Sequence, residues 1–136
     1  MTSTDLQSLV DGPIFAPWVR QLALRVVERR DDALLLSLPI TPPHVHGGGV
    51  ACGQTLMSAA DTAMVLAITA KLGAFRPMTT VQLAISFLRP IAGDAGEAFV
   101  AARVLRLGKS LVFGEIEISD AGGRLAAHAT TTYALL

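Results

Sequence analysis

The sequence predicts an α+β domain, one antiparallel sheet curled around a single long helix, and three observations lead there. The run from Gly53 to Leu72 has no proline and no internal glycine and is rich in Ala, Leu and Met, which favours a helix about 30 Å long. Apolar residues occur all round that run (Leu56, Met57, Ala60, Ala63, Met64, Val65, Ala67, Ile68), the pattern of a helix covered on most sides. A strand pair precedes it and four strand-like runs separated by turn chemistry follow it.

Each element has its own signal. Residues 4–10 read as a short helix capped by Thr4 or Asp5 and ended by Gly12-Pro13. "VRQLALRVVERR" alternates in part and is followed by "DDALLLSLPI", so Arg29 to Asp32 read as the turn of a hairpin whose second strand ends at Pro39. "TPPHVHGGG" reads as a loop, because Pro42 and Pro43 cannot donate to a ladder and three successive glycines favour no regular element. Gly73 is placed to end the long helix. The later strands fall near 79–88, 95–107, 110–119 and 124–135, with "RPIAGDAG", "LGKS" and "DAGG" between them, and are expected to form a meander. Alternation is clearest where Val112, Gly114, Ile116 and Ile118 face opposite to Phe113, Glu115 and Glu117.

Composition bounds the function. The 136 residues suit one domain, residues 1–136. Hydrophobic residues make up 51% and charged ones 16%, so a lone copy is expected to leave apolar surface that self-association covers. Eleven basic and eleven acidic side chains cancel, which argues against nucleic acid or an anionic membrane surface as partner. The run 53–72 is interrupted by Gln54, Ser58, Asp61, Thr62 and Thr69, and a carboxylate inside a bilayer is costly, so no membrane span is expected. With a single cysteine, Cys52, and no signal-like N-terminus, a cytoplasmic location is the expectation.

Two residues of the long helix suggest chemistry. Gly53 falls in its first turn, where backbone N–H groups lack intrahelical partners and a glycine lets a ligand oxygen come close, as in an oxyanion hole. Asp61 lies two turns on, roughly 12 Å along the axis. One small substrate does not easily reach both within one chain, whereas a two-fold dimer brings Gly53 of one copy opposite Asp61 of the other. Three plainer readings stand beside this one. The glycines can be only a loop and a helix start, Asp61 only a solvated residue or a helix-interior residue bonded to a neighbour, and Cys52 a packed residue rather than a nucleophile. His44, His46, Cys52 and Asp61 have residue types that suit zinc, without a specific zinc spacing. His128, on the polar side of the last strand, is given no role.

Over residues 33–136 the chain resembles the hotdog-fold acyl-CoA thioesterases of the phenylacetic-acid-degradation type, similar to 4-hydroxybenzoyl-CoA thioesterases. That family carries an Asn, a Gly three residues on, a His-Gly-Gly three further, and an acid eight residues after the first Gly of the pair. His46-Gly47-Gly48 catches the eye, but Asp61 is then too distant. The register that keeps the spacing puts His46 at the Asn, Gly49 at the loop Gly, Cys52 at the His, Gly53 at the donor Gly, Gln54 at the second Gly and Asp61 at the acid. "TTVQLAISFLRPIAGD" and "RVLRLGKSLVFGEIEISDAGGRLAAHATTTYAL" resemble the family's later strands.

The resemblance implies hydrolysis of a medium-chain or aryl acyl-CoA at a dimer interface, in a homodimer or a homotetramer built from two dimers, with no cofactor and no metal. Gly53 N–H would polarise the thioester carbonyl and Asp61 of the facing copy would be base or nucleophile. Thr80 would orient the water or the carboxylate, and His46 would touch the carbonyl or leaving group. Gln54 flanks the donor amide as a substrate-binding residue, and Arg89, Arg106 and Lys109 are the positive charges placed for the phosphates of coenzyme A. The departures at Cys52, Gln54 and His46 imply a substrate preference different from the phenylacetyl type. Two other functions fit the same residues: hydration or dehydration of an enoyl-CoA by His46 and Asp61, and acyl-CoA binding without turnover.

Overall fold

A computed structural model describes residues 1–136. The chain forms helix α1 (Ser3–Val10), a single helical turn α2 (Pro17–Arg20), strands β1 (Arg25–Arg29) and β2 (Ala33–Pro39), the long helix α3 (Gly53–Leu72), and strands β3 (Met78–Phe87), β4 (Glu97–Leu107), β5 (Leu111–Asp120) and β6 (Leu125–Leu135). All six strands join one antiparallel sheet in the order β1-β2-β4-β5-β6-β3. Packed against β2, β3, β4 and β5, α3 is the filling of a hotdog fold.

The inner face explains the alternation in the sequence. Val100 and Ala102 of β4, Val112, Ile116 and Ile118 of β5, and Ala127, Ala129 and Tyr133 of β6 meet Ala60, Ala63, Met64 and Ile68 of α3 in one core. At Gly114 a Cβ would press on the Met64 side chain of α3 and lie 2.9 Å from the Arg103 carbonyl oxygen, so the glycine suits the close approach of the helix. The helix ends as its sequence predicts, with Gly73 at φ 86° and its N–H donating to the Thr69 carbonyl. Although α3 is long and apolar enough to cross a bilayer, 67% of its apolar window is buried inside the protein.

Three expectations are corrected. The first helix is capped by Thr2 rather than Thr4 or Asp5, and Asp5 closes a capping box as its third residue. The partial alternation of "VRQLAL" is not a strand: residues 17–20 form a helical turn, and Ala23, at φ 54°, kinks the chain so that Leu22 and Leu24 are both buried. A left-handed alanine produced the spacing that a strand would have given.

The last four strands are also not a simple meander, since β3 pairs with β6 at the far edge while β4 pairs with β2. The reason is the helix, which spans four strands and releases the chain beyond the slot next to β2. As an edge strand β3 has β6 as its one neighbour and is mostly exposed, with Val81 60% and Phe87 50% accessible.

Candidate active site

Asp61 sits half-buried in the third turn of α3, beside a cavity of about 270 Å3 walled mainly by Phe15, Trp18, Val19, Met57, Val65 and Leu83. Its carboxylate is held from two strands. Thr80 Oγ1 of β3 donates to Asp61 Oδ1 at 2.9 Å, and the buried Tyr133 hydroxyl of β6 lies against the same oxygen and 2.8 Å from the Asp61 carbonyl. No hydrogen bond reaches Oδ2, and no buried side-chain oxygen is left without a partner. Oδ2 is therefore the carboxylate atom open to a ligand. Burial first, then the negative charge of Asp61, pushes the Tyr133 hydroxyl well above the ordinary tyrosine range, so it remains a donor to Asp61.

Gly53 opens elsewhere. It is the first residue of α3 and no side chain caps the helix, so its N–H has no partner within the helix. It lines a separate cavity of about 390 Å3 with Leu56, Phe87, Leu88, Arg89 and Ile91. A Cβ at Gly53 would stand 3.2 Å from the Phe87 ring, so the glycine keeps that approach to the amide open. One protomer thus carries a bare donor and a held carboxylate in two different cavities.

The other residues singled out in the sequence divide. Arg89 shares the Gly53 cavity. Arg106 and Lys109 flank the turn between β4 and β5, where Ser110 accepts from Leu135 N–H, beside the start of β3. Strand β3 separates the two groups by about 30 Å at ~3.4 Å per residue, so one copy does not bring the three charges together. Gln54 lies on a third cavity, with Trp18 and His44. His46 is exposed, and its Nδ1 accepts from Gly48 N–H at 2.8 Å. No hydrogen bond joins it to Asp61.

The zinc set does not assemble: no three His, Cys, Asp or Glu side chains lie close enough to share a metal. His44 Nδ1 is 3.1 Å from the Pro39 carbonyl, and Cys52 Sγ is 3.0 Å from Thr55 Oγ1. That Thr55 hydroxyl holds the Cys52 thiol below its ordinary range. His128 pairs with Glu115 at 3.2 Å on the outer face of the sheet, where Arg103 also meets Glu115.

Tyr133, Phe15 and Trp18 were missed in the sequence. Tyr133 had a signal: it is the sole tyrosine, it continues the inward series of Ala129 and Thr131, and a buried hydroxyl needs a partner. Phe15 and Trp18 were hidden because they lie between the first helix and the strand-like "VRQLAL", in a stretch with no periodicity of its own.

The model of the thioesterase superfamily matches residues 43–127. A Saccharolobus solfataricus protein that carries a provisional esterase name is 30% identical over 115 residues, 85% of this chain and 80% of that protein. In fold, the chain is similar to thioesterase HI1161 of Haemophilus influenzae, with a TM-score of 0.87 at 19% identity over 100% of this chain and 91% of that one. It is also similar to the PaaI protein from the phenylacetic acid degradation operon of E. coli, with a TM-score of 0.74 at 24% identity over 85% of each chain. The family match and the 30% identity together place it: the chain belongs to the thioesterase superfamily and is a thioester hydrolase.

Proposed function

We propose that the chain hydrolyses acyl-CoA thioesters with a medium-chain or aryl acyl group at sites shared between two copies, in the manner of the phenylacetic-acid-degradation type but with its own acyl preference. The observation that carries this reading is the Asp61 carboxylate, fixed through Oδ1 by Thr80 and Tyr133 and free at Oδ2 beside an apolar cavity. In this reading the acyl group lies in that cavity and Asp61 Oδ2 takes a proton from water. The water oxygen bonds to the carbonyl carbon, and Gly53 N–H of the facing copy receives the charge that develops on the carbonyl oxygen. The C–S bond then breaks, the proton passes to the sulfur, and free acid and thiol leave.

Dimerisation through β3 supports the shared site. Its outer edge is unpaired, and Val81, Phe87 and Leu88 are exposed along it. Antiparallel pairing of two β3 strands would also bring Arg106 and Lys109 of one copy to the same end of the joint sheet as Arg89 of the other, where a phosphate-bearing ligand fits. A homodimer, or a homotetramer of two such dimers, in the cytoplasm is the proposed form. Thiol release measured over a panel of acyl-CoA thioesters tests the reading. Medium-chain and aryl groups are expected to turn over fastest, and the specificity is refuted if long chains do; Asp61→Ala that retains wild-type turnover would refute the site.

A further inference from the structure

The face of α3 that carries Asp61 continues toward the helix start through Ser58 and Gln54, three and seven residues earlier. There it floors a cavity of about 430 Å3 whose walls include Trp18, Gln21, Thr41 and His44. Trp18 and Ser58 line both this space and the cavity beside Asp61, so the two adjoin along the helix.

His44 is a buried group that the proposed hydrolysis does not use. It is 8% exposed, and its Nδ1 lies 3.1 Å from the Pro39 carbonyl, which can only accept, so Nδ1 carries a hydrogen. In the neutral ring Nε2 is then an acceptor. No hydrogen bond reaches Nε2, yet no buried side-chain nitrogen lacks a partner. The small exposed part of the ring therefore includes Nε2, and His44 is one of the residues that line the cavity. Hydroxyls of Thr41 and Ser58 and amides of Gln21 and Gln54 share the lining, and no Asp, Glu, Lys or Arg does. Nothing there balances a phosphate or a carboxylate, and a plain hydrocarbon would strip these polar groups of water without replacing it.

We propose that this cavity binds an uncharged hydrogen-bond donor of the substrate, a hydroxyl or an amide N–H received by His44 Nε2. The thioesterase reading enters only in naming where that donor comes from. An acyl-CoA offers it in two places, a hydroxyl at the far end of the acyl group and the amides of the pantetheine arm.

Nitrogen NMR of histidine-labelled protein reads the site without turnover. Pantetheine is titrated on one arm, and 4-hydroxyphenylacetone against phenylacetone on the other. A shift of the His44 Nε2 resonance by pantetheine assigns the arm of the thiol. A shift by the hydroxylated ketone and not by its parent assigns the acyl end. The shifting ligand is expected to bind at least tenfold more weakly to His44→Asn, whose amide nitrogen can keep the bond to Pro39. Should that variant fail to fold, Gln21→Leu, at an exposed position on the same wall, is expected to weaken binding as well. An unmoved His44 with every probe, in protein that hydrolyses thioesters, overturns this site alone; a moved His44 in protein that hydrolyses none overturns the function and leaves the site.

Discussion

The first and third turns of α3 carry the two halves of the proposed chemistry and are built in opposite ways. In the first turn no side chain caps the helix, a glycine carries no Cβ beside its amide, and the nearest side chain is the ring of the exposed Phe87. In the third turn, two hydroxyls from two strands converge on one carboxylate oxygen. One turn keeps donors unspent for a ligand, while the other spends two donors to fix one oxygen and free its twin. Because the turns open into separate cavities, the helix carries two half-sites, which in the proposed reading complete each other between copies.

Removing either half should show the difference. Asp61→Ala eliminates the base and is expected to lower kcat by about 10²–10⁴-fold in a thiol-release assay, with the fold retained by circular dichroism. Gly53→Pro is a finer cut. Position 53 is the first of the helix, where proline is tolerated and no helical bond is lost, and Cys52 at φ −73°, ψ 149° already has the conformation that precedes proline. The helix should persist while the donor disappears, and kcat is expected to fall by about 10²–10³-fold with little change in KM. A wild-type rate in Gly53→Pro would remove the amide from the mechanism.

The held carboxylate predicts smaller effects. Thr80→Val and Tyr133→Phe should each lower kcat by about 10–100-fold, since a hydrogen bond to a charged group contributes about 1.5–3 kcal/mol, and Thr80→Ser should restore most of the rate. Equal rates in all three would mean that fixing Oδ1 does not matter. The smallest effect lies away from both turns. Arg103 first, then His128, holds Glu115 below the ordinary carboxylate range. A lowered folded-state value means that its contribution to stability is present above that range and fades as pH falls through it. Glu115→Gln should therefore flatten part of the acid limb of the melting temperature against pH and leave hydrolysis near neutral pH unchanged.

These features were unequally legible in the sequence. Helix α3 was read to its last residue because length, composition and the Gly73 stop agree. The location of β3 was not, because pairing order is a non-local property and β3 joins β6, whose paired residues lie 40 to 57 positions later. Within the site, the Gly53 to Asp61 spacing was readable along one helix. Thr80 was reached through family resemblance, and its bond to Asp61 is present. Tyr133 is 72 residues from the carboxylate it touches, and no local pattern encodes that contact. Arg89, Arg106 and Lys109 were read as one phosphate-binding group from their residue type, whereas the length of β3 separates Arg89 from the other two within one copy.

Mixing the two damaged halves tests the shared site most directly. Asp61→Ala and Gly53→Pro proteins, each inactive alone, are unfolded together, refolded and assayed for thiol release. If Gly53 and Asp61 of different copies form one site, random pairing leaves about a quarter of the sites intact, and about a quarter of wild-type activity should return. A mixture as inactive as its components, although mass measurement confirms mixed dimers, would contradict the shared site.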